Sequence, residues 1–294
     1  MAAGPRIVVT LAAREGSADR DPVRTAANAR YLEAVRRQGG DPIPLDARSS
    51  AAERRRAFEA MAGLLLSGGA DIAPRRYGEA PAGAHGVDEA RDELEAEAWA
   101  VAAERGLPVF GICRGHQAIN VFSGGRLLQH VDGHDRPSGA GERSATGGGE
   151  SARGSTWSTG GGESATGSTR STLAGSGPPP GRDALGRLER RHELRLVPGT
   201  RLARILAPTS GAGRLLVNSS HHQAVRPADL APGLVAAGYA WSPAGEIVEA
   251  LEAAGDRFVV GVQCHPERVE TSPPEFERLW RVFVDACRGA AVRR

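Results

Sequence analysis

The sequence predicts an α/β fold: a mostly parallel central sheet covered by helices on both faces, with a small antiparallel extension. Three observations predict it. Short β-like runs alternate with helical patterns through the first half of the chain, the order that builds parallel sheets. Two of those runs end in glycine turns, and ligands in such sheets bind outside the carboxyl ends of the strands. Near the C-terminus, three strand-like runs are separated only by turn signals, as in an antiparallel meander.

Element by element, "RIVVT" (6–10) reads as a strand and "VRTAANARYLEAVRRQGG" (23–40) as a helix with apolar residues at helical spacing and a glycine C-cap. "DPIPL" is a short second strand, and "SSAAERRRAFEAMAG" a helix behind a serine cap. "LLLSGG" (64–69) is a third strand closing on a turn. "DEARDELEAEAWAVAAERG" (88–106) reads as an amphipathic helix, "LPVFGIC" as a strand, and a further helix starts near Arg114. Beyond residue 181, "HELRLV" and "RLLVNSS" read as strands, then "LVAAGYA", "GEIVEALEA" and "RFVVGVQCH" as the meander. A last helix spans 272–287, with Ser and Pro at its start and an apolar stripe along it.

Residues 138–181 stand apart. They are mostly Gly, Ser, Thr, Ala and Pro, and "TGGGESA" occurs at both 146–152 and 159–165. Such a segment buries too little apolar surface to offset the entropy of ordering, so it reads as a disordered surface insertion that expands a loop.

The 294 residues suffice for one large domain or two modest ones. The 37 basic and 35 acidic residues nearly cancel, and every basic residue is arginine. They are scattered rather than massed on one stripe, so the footprint of a nucleic-acid binder is missing. Three cysteines (Cys113, Cys264, Cys287) are too few for a disulfide framework and fit a reducing compartment. The N-terminal apolar patch falls short of the roughly 7–15 residues of a secretory core, and no run approaches the roughly 18–20 of a membrane helix. The expectation is a soluble, cytoplasmic protein with neither membrane nor nucleic-acid partner.

Chemistry concentrates at "FGICRGHQ" (110–117), where Cys113 sits between Gly111 and Gly115 at a strand-to-helix corner. A nucleophile on so tight a turn needs small neighbours two residues to either side. The helix that follows lowers the thiol pKa through its N-terminal dipole and free N–H groups. The Arg114 amide is placed to bind a developing oxyanion, with a second donor from the "SGG" turn, Gly69. In "QCHPE" (263–267), side chains two apart project to one side of an extended segment, and Pro266 biases His265 toward β geometry. His265 can thus serve as base and Glu267 as the carboxylate that orients it.

"GICRGHQ", "LLLSGGADI" and "GVQCHPE" together resemble the class I glutamine amidotransferase superfamily. "DIAPRRYGE" (71–79), "RDELE" (91–95) and "VNSSHHQAV" (217–225) look more narrowly like its γ-glutamyl-γ-aminobutyrate hydrolase branch, a group of peptidase C26 type. The resemblance covers nearly the whole chain outside the insertion. It implies a single flavodoxin-like three-layer α/β domain over 1–294, with Cys113 as nucleophile, His265 as base and Glu267 as its partner. It also implies that Gln117 helps hold the glutamyl moiety and that Ser220 and His221 line the pocket near the substrate's α-amino and α-carboxylate groups. Two positions depart from the family pattern: Cys264, often aromatic there, and His116. The implied reaction is hydrolysis of a γ-glutamyl amide, of the kind used in polyamine catabolism, through a γ-glutamyl thioester. It needs neither metal nor organic cofactor.

Rival readings stay in view. Cys113-x-x-His116 with Cys264-His265 offers metal ligands, but neither Cys-x₂-Cys nor His-x₃-His spacing occurs there. His221 and His222 read as pocket or structural residues, and His130 and His134 as solvated loop residues. A glutaminase that passes ammonia to a synthase partner would use the same triad. A non-catalytic γ-glutamyl-binding relative would keep the pocket without the chemistry. The leaving amine and the oligomeric state, homo-oligomer included, are left open.

Overall fold

A computed structural model of the chain describes residues 4–13, 22–131, 181–182, 188–207 and 213–292. The proposed insertion lies outside the described residues except at its last position. Five strands form the parallel half of the sheet: β1 (Arg6–Thr10), β2 (Asp41–Leu45), β3 (Gly63–Leu66), β4 (Val109–Ile112) and β10 (Val259–Val262). Their order is β2-β1-β3-β4-β10, the doubly wound order of flavodoxin-like folds. The antiparallel part is larger than the sequence suggests. Beyond β10 come β9 (Gly245–Ala253), β8 (Leu234–Ser242) and β6 (Leu188–Leu196), with β7 (Arg214–Ser219) and the two-residue β5 (Gly181–Arg182) also paired to β6.

Alternation along the strands sorts side chains into two apolar layers. Ile7, Val9, Leu65, Phe110, Ile112, Val260 and Val262 face one layer. There they meet α1 (Pro22–Arg37), α5 (Arg201–Leu206) and α6 (Phe276–Val292). Val8, Leu64, Leu66, Val109 and Val259 face the other, covered by α2 (Ala51–Ala60), α3 (Glu89–Glu104) and α4 (Arg114–Phe122). The result is three layers. The α6 stripe of Phe276, Leu279, Trp280, Phe283, Val284 and Cys287 has helical period, and the Phe110 ring meets Trp280 edge-on at 5.0 Å.

Local chemistry sets the helix ends. The Ser50 hydroxyl accepts from the Glu53 amide while the Glu53 carboxylate accepts from the Ser50 amide, a capping box that starts α2. Asp88 caps α3 by accepting from the Arg91 amide. The helix expected from 272 begins at Phe276 and continues to Val292, because Pro273 and Pro274 lie in the turn that leads into it rather than in its first turn. Helix α5 has no counterpart in the sequence reading. Its six residues are too few to show a period, and it is fixed from outside, by the Thr200 cap and by Glu252, whose carboxylate accepts from the Arg201 and Leu202 amides.

Candidate active site

The register of two neighbouring strands builds the site. Val262 pairs with Ile112, and the Cys113 amide donates to the Val262 carbonyl at 2.8 Å. The residue after β4 is thereby set beside the segment after β10, which carries Gln263, His265 and Glu267. The turn after β3 forms the third wall.

Cys113 has φ 52° and ψ −106°, a backbone conformation that side-chain-bearing residues rarely adopt. The two glycines permit the corner by close approach. A Cβ on Gly115 would lie 2.1 Å from the Leu66 carbonyl oxygen, and one on Gly111 would lie 2.4 Å from the Gly115 oxygen. The bracketing of Cys113 is therefore a steric requirement of packing α4 against β3 and β4.

His265 is buried and clasped on several sides. Its Nδ1 lies 2.8 Å from Glu267 Oε1. Its amide donates to Asn218 Oδ1 at 2.8 Å, and its carbonyl accepts from Asn218 Nδ2 and the Ser272 hydroxyl. With Nδ1 held by the carboxylate, Nε2 is the nitrogen left for the thiol, and the Gly68 turn closes over both groups. Gln263 Nε2 points to the sulfur at 3.5 Å. Burial would push the Cys113 thiol up, but the charge and hydrogen bond of His265, aided by His221 and Arg268, outweigh it and leave the thiol below its ordinary pKa. Burial and Arg268 would lower His265, yet Glu267 and Cys113 raise it to about 9. A thiolate–imidazolium pair is the favoured charge arrangement. By contrast, burial keeps the Cys264 thiol well above its usual range, in the apolar layer beneath α6.

Gly68 and Gly69 line the opposite wall. A Cβ on Gly68 would fall 2.9 Å from His265 Cε1 and 3.6 Å from Cys113 Cβ, so this turn closes directly over the pair. The Gly68 amide donates to the Tyr31 hydroxyl, whereas Gly69 is exposed at the rim. The Arg114 amide is the first of α4, one of the N–H groups a helix leaves without an internal acceptor.

The remaining expected residues behave differently from one another. Gln117 is buried and its Nε2 donates to the Gln223 carbonyl and to Gln263 Oε1, so it steadies the amide that touches the sulfur. His221 is buried with Nδ1 3.0 Å from the Gln223 carbonyl oxygen and Nε2 3.3 Å from Glu249, whose other oxygen meets His192 at 3.1 Å. Ser220 is half-buried beside it. Burial lowers His116 to about 4, so it is neutral in α4.

Sequence reasoning did not find the second group of charges. The inner face of α3 is not apolar at its N-terminal end: Arg91, Asp92 and Glu95 are all buried. The Arg114 guanidinium bridges Asp92 and Glu95. Arg91 donates to Glu95 at 2.9 Å and to the Ser67 and Gly68 carbonyls at 3.1 and 3.0 Å. The Thr10 hydroxyl donates to Glu95 and the Ala73 amide to Asp92. This quartet ties the glycine turn to the start of α4. Its signal was the pair of carboxylates one helical turn apart, with an arginine, in "RDELE". Tyr31 and Asn218 carried no comparable signal.

A family model described as Peptidase C26 matches residues 7–267. The chain belongs to that family. Its C26 relatives are glutamine amidotransferase-like, and the family acts as hydrolases of amide bonds. The chain is 30% identical to protein NtpR of Enterococcus hirae over 259 residues, covering 86% of each. It is 29% identical over 272 residues to a Mycobacterium tuberculosis protein provisionally named a glutamine amidotransferase, covering 90% of this chain and 68% of that one. Among solved structures, the glutaminase domain of Trypanosoma brucei CTP synthase with bound acivicin shares the fold with a TM-score of 0.54 at 16% identity, over 97% of this chain and 94% of that one. No helix among the described residues is long and apolar enough to cross a membrane.

Proposed function

We propose that this C26 protein hydrolyses γ-glutamyl amides, with γ-glutamyl-γ-aminobutyrate or a related γ-glutamyl amine as substrate. The observation that carries the reading is the strained Cys113 facing the same glycine turn as an imidazole whose Nδ1 lies 2.8 Å from a buried carboxylate. In this mechanism the Cys113 thiolate attacks the γ-carbonyl carbon, and the resulting oxyanion accepts hydrogen bonds from the Gly69 and Arg114 amides. The His265 imidazolium gives its proton to the leaving nitrogen as the C–N bond breaks, which leaves a γ-glutamyl thioester and a free amine. Neutral His265 then takes a proton from water, which attacks the thioester. Glutamate leaves and the thiolate–imidazolium pair is restored. Glu267 holds the imidazole in orientation and stabilises its charged form throughout. Ser220, with His221 and Gln117 behind it, forms the wall toward the glutamyl head group.

A second reading, release of ammonia from glutamine for a synthase partner, is favoured by the relatives. A CTP synthase of Rubrobacter xylanophilus is 38% identical over 104 residues, 34% of this chain and 18% of that one. Both readings are tested by assaying a panel of γ-glutamyl amides and glutamine with the natural protein and Cys113→Ala. Turnover of the amides that Cys113→Ala lacks supports the hydrolase. Turnover of glutamine alone, accelerated by a synthase, supports the donor. Turnover that survives in Cys113→Ala defeats both.

A further inference from the structure

Three segments distant in sequence meet at the carboxyl edge of the sheet, beside the proposed active site. Asp71 follows the Ser67–Gly69 turn, His85 lies in the loop before α3, and His222 adjoins His221 after β7. His222 Nε2 is 3.0 Å from Asp71 Oδ1, and His85 Nδ1 is 3.7 Å from Asp71 Oδ2. The His85 and His222 rings lie 4.1 Å apart, centroid to centroid. One ligand-capable atom from each of the three residues falls within 4.8 Å of the other two.

We propose that Asp71, His85 and His222 form a binding site for a divalent transition-metal cation of the zinc class. Two imidazole nitrogens and one carboxylate oxygen form a borderline donor set, suited to Zn²⁺ and its neighbours rather than to Mg²⁺ or Ca²⁺, which prefer all-oxygen shells. Bonds of about 2.0–2.2 Å place the ligand atoms of a tetrahedral ion somewhat over 3 Å apart, a spacing reached from this geometry by small side-chain rotations. The carboxylate is pre-set for the task. Asp71 Oδ2 accepts from the His85 amide at 2.8 Å, which fixes both its plane and the loop that brings the second imidazole. That loop is held from behind, since Gln129 accepts from the Ala82 amide at 2.7 Å and donates to the Ala80 carbonyl at 2.9 Å.

Burial grades across the cluster as an open site requires. The Asp71 and His222 side chains are mostly buried, while His85 is 74% exposed, which leaves a coordination position facing outward. The His130 ring lies 5.8 Å from that of His222. This site shares no residue with Cys113, His265 or Glu267, so it stands or falls separately from the proposed hydrolysis.

The test is titration of the purified full-length protein with Zn²⁺ and with Co²⁺, followed by calorimetry and by the Co²⁺ absorption spectrum. The expected result is one equivalent bound, with a spectrum that lacks a sulfur-to-cobalt charge-transfer band. His85→Ala and His222→Ala should each weaken binding by at least about tenfold, while Cys113→Ala binds as the natural protein does. His85 is exposed, so its replacement leaves the fold intact and keeps the test decisive if His222→Ala proves unstable. Absence of binding, a charge-transfer band, loss of binding in Cys113→Ala, or full binding in His85→Ala would each overturn the proposal.

Discussion

Two clusters of buried charge flank Cys113, and they differ in what their protons can do. Behind the turn lie Arg91, Asp92, Glu95 and Arg114; in front lie His265 and Glu267, with His221, Glu249 and His192 beyond. Both are shielded from water. Guanidinium groups keep their protons at any accessible pH, so Arg91 and Arg114 give the first cluster fixed charges. It joins β1, the glycine turn, α3 and the start of α4 into one block. Imidazole and thiol can exchange protons in the accessible range, and their cluster favours the charged form of each. The fold thus separates rigid electrostatics from mobile electrostatics across a single residue.

The largest expected effect comes from removing the sulfur. Cys113→Ala should lower turnover of the proposed substrates by on the order of 10⁴ or more, read by an amine-release assay. The same position tests the strain. At φ 52°, glycine fits where alanine does not, so Cys113→Gly should be as inactive as Cys113→Ala but more stable by about 1 kcal/mol in urea unfolding. Equal stability would mean that the corner carries no strain.

Next in size is the rigid cluster. Arg114→Met removes the guanidinium that pairs with Asp92 and leaves Glu95 with Arg91. Breaking a buried ion pair in this way costs roughly 3–5 kcal/mol, which should appear as a lower urea midpoint with an unchanged slope. A loss of activity without a loss of stability would show that Arg114 acts on chemistry through its side chain, and the division between the clusters would fail.

The two clusters were unequally legible in the sequence. Cys113, His265 and Glu267 stand out because their geometry is written locally: a glycine bracket at a strand end, and a His-Pro-Glu spacing that puts two side chains on one side. The parallel strands were equally plain, since each is a short apolar run between helices. What escaped depends on partners far along the chain. Arg91 and Glu95 read as one stretch of a charged helix, and only the docking of α3 against the glycine turn makes them interior. Asn218 grips His265 across 47 positions, and Gln117 bonds to Gln223 and Gln263, 106 and 146 positions away. The extent of the antiparallel half depends in the same way on distant pairings, since β6 joins both β7 and β8 across long stretches of chain.

The mobile cluster has a pH signature. Activity requires a thiolate and an imidazolium together, so it should fall at low pH as Cys113 takes a proton, and fall again above about 9 as His265 loses one. Glu267→Gln removes the carboxylate that raises His265, so the alkaline limb should move toward neutrality. Turnover should drop on the order of 10², measured as kcat/KM against pH. An alkaline limb left in place would assign the raised imidazole pKa to Cys113 alone.

The smallest effect sharpens the comparison from a site with no part in the chemistry. Thr200 caps α5 by accepting from the Ala203 amide at 3.2 Å, and α5 packs on α6 in the layer opposite to α3 and α4. Thr200→Ala should cost about 1 kcal/mol, since the Glu252 carboxylate still satisfies the Arg201 and Leu202 amides. Its kcat and pH profile should match the natural protein. If losing this cap altered the alkaline limb, the packing of α6 against the segment after β10 would be setting the imidazole's charge as well, and the proton balance could no longer be assigned to the groups in contact with His265.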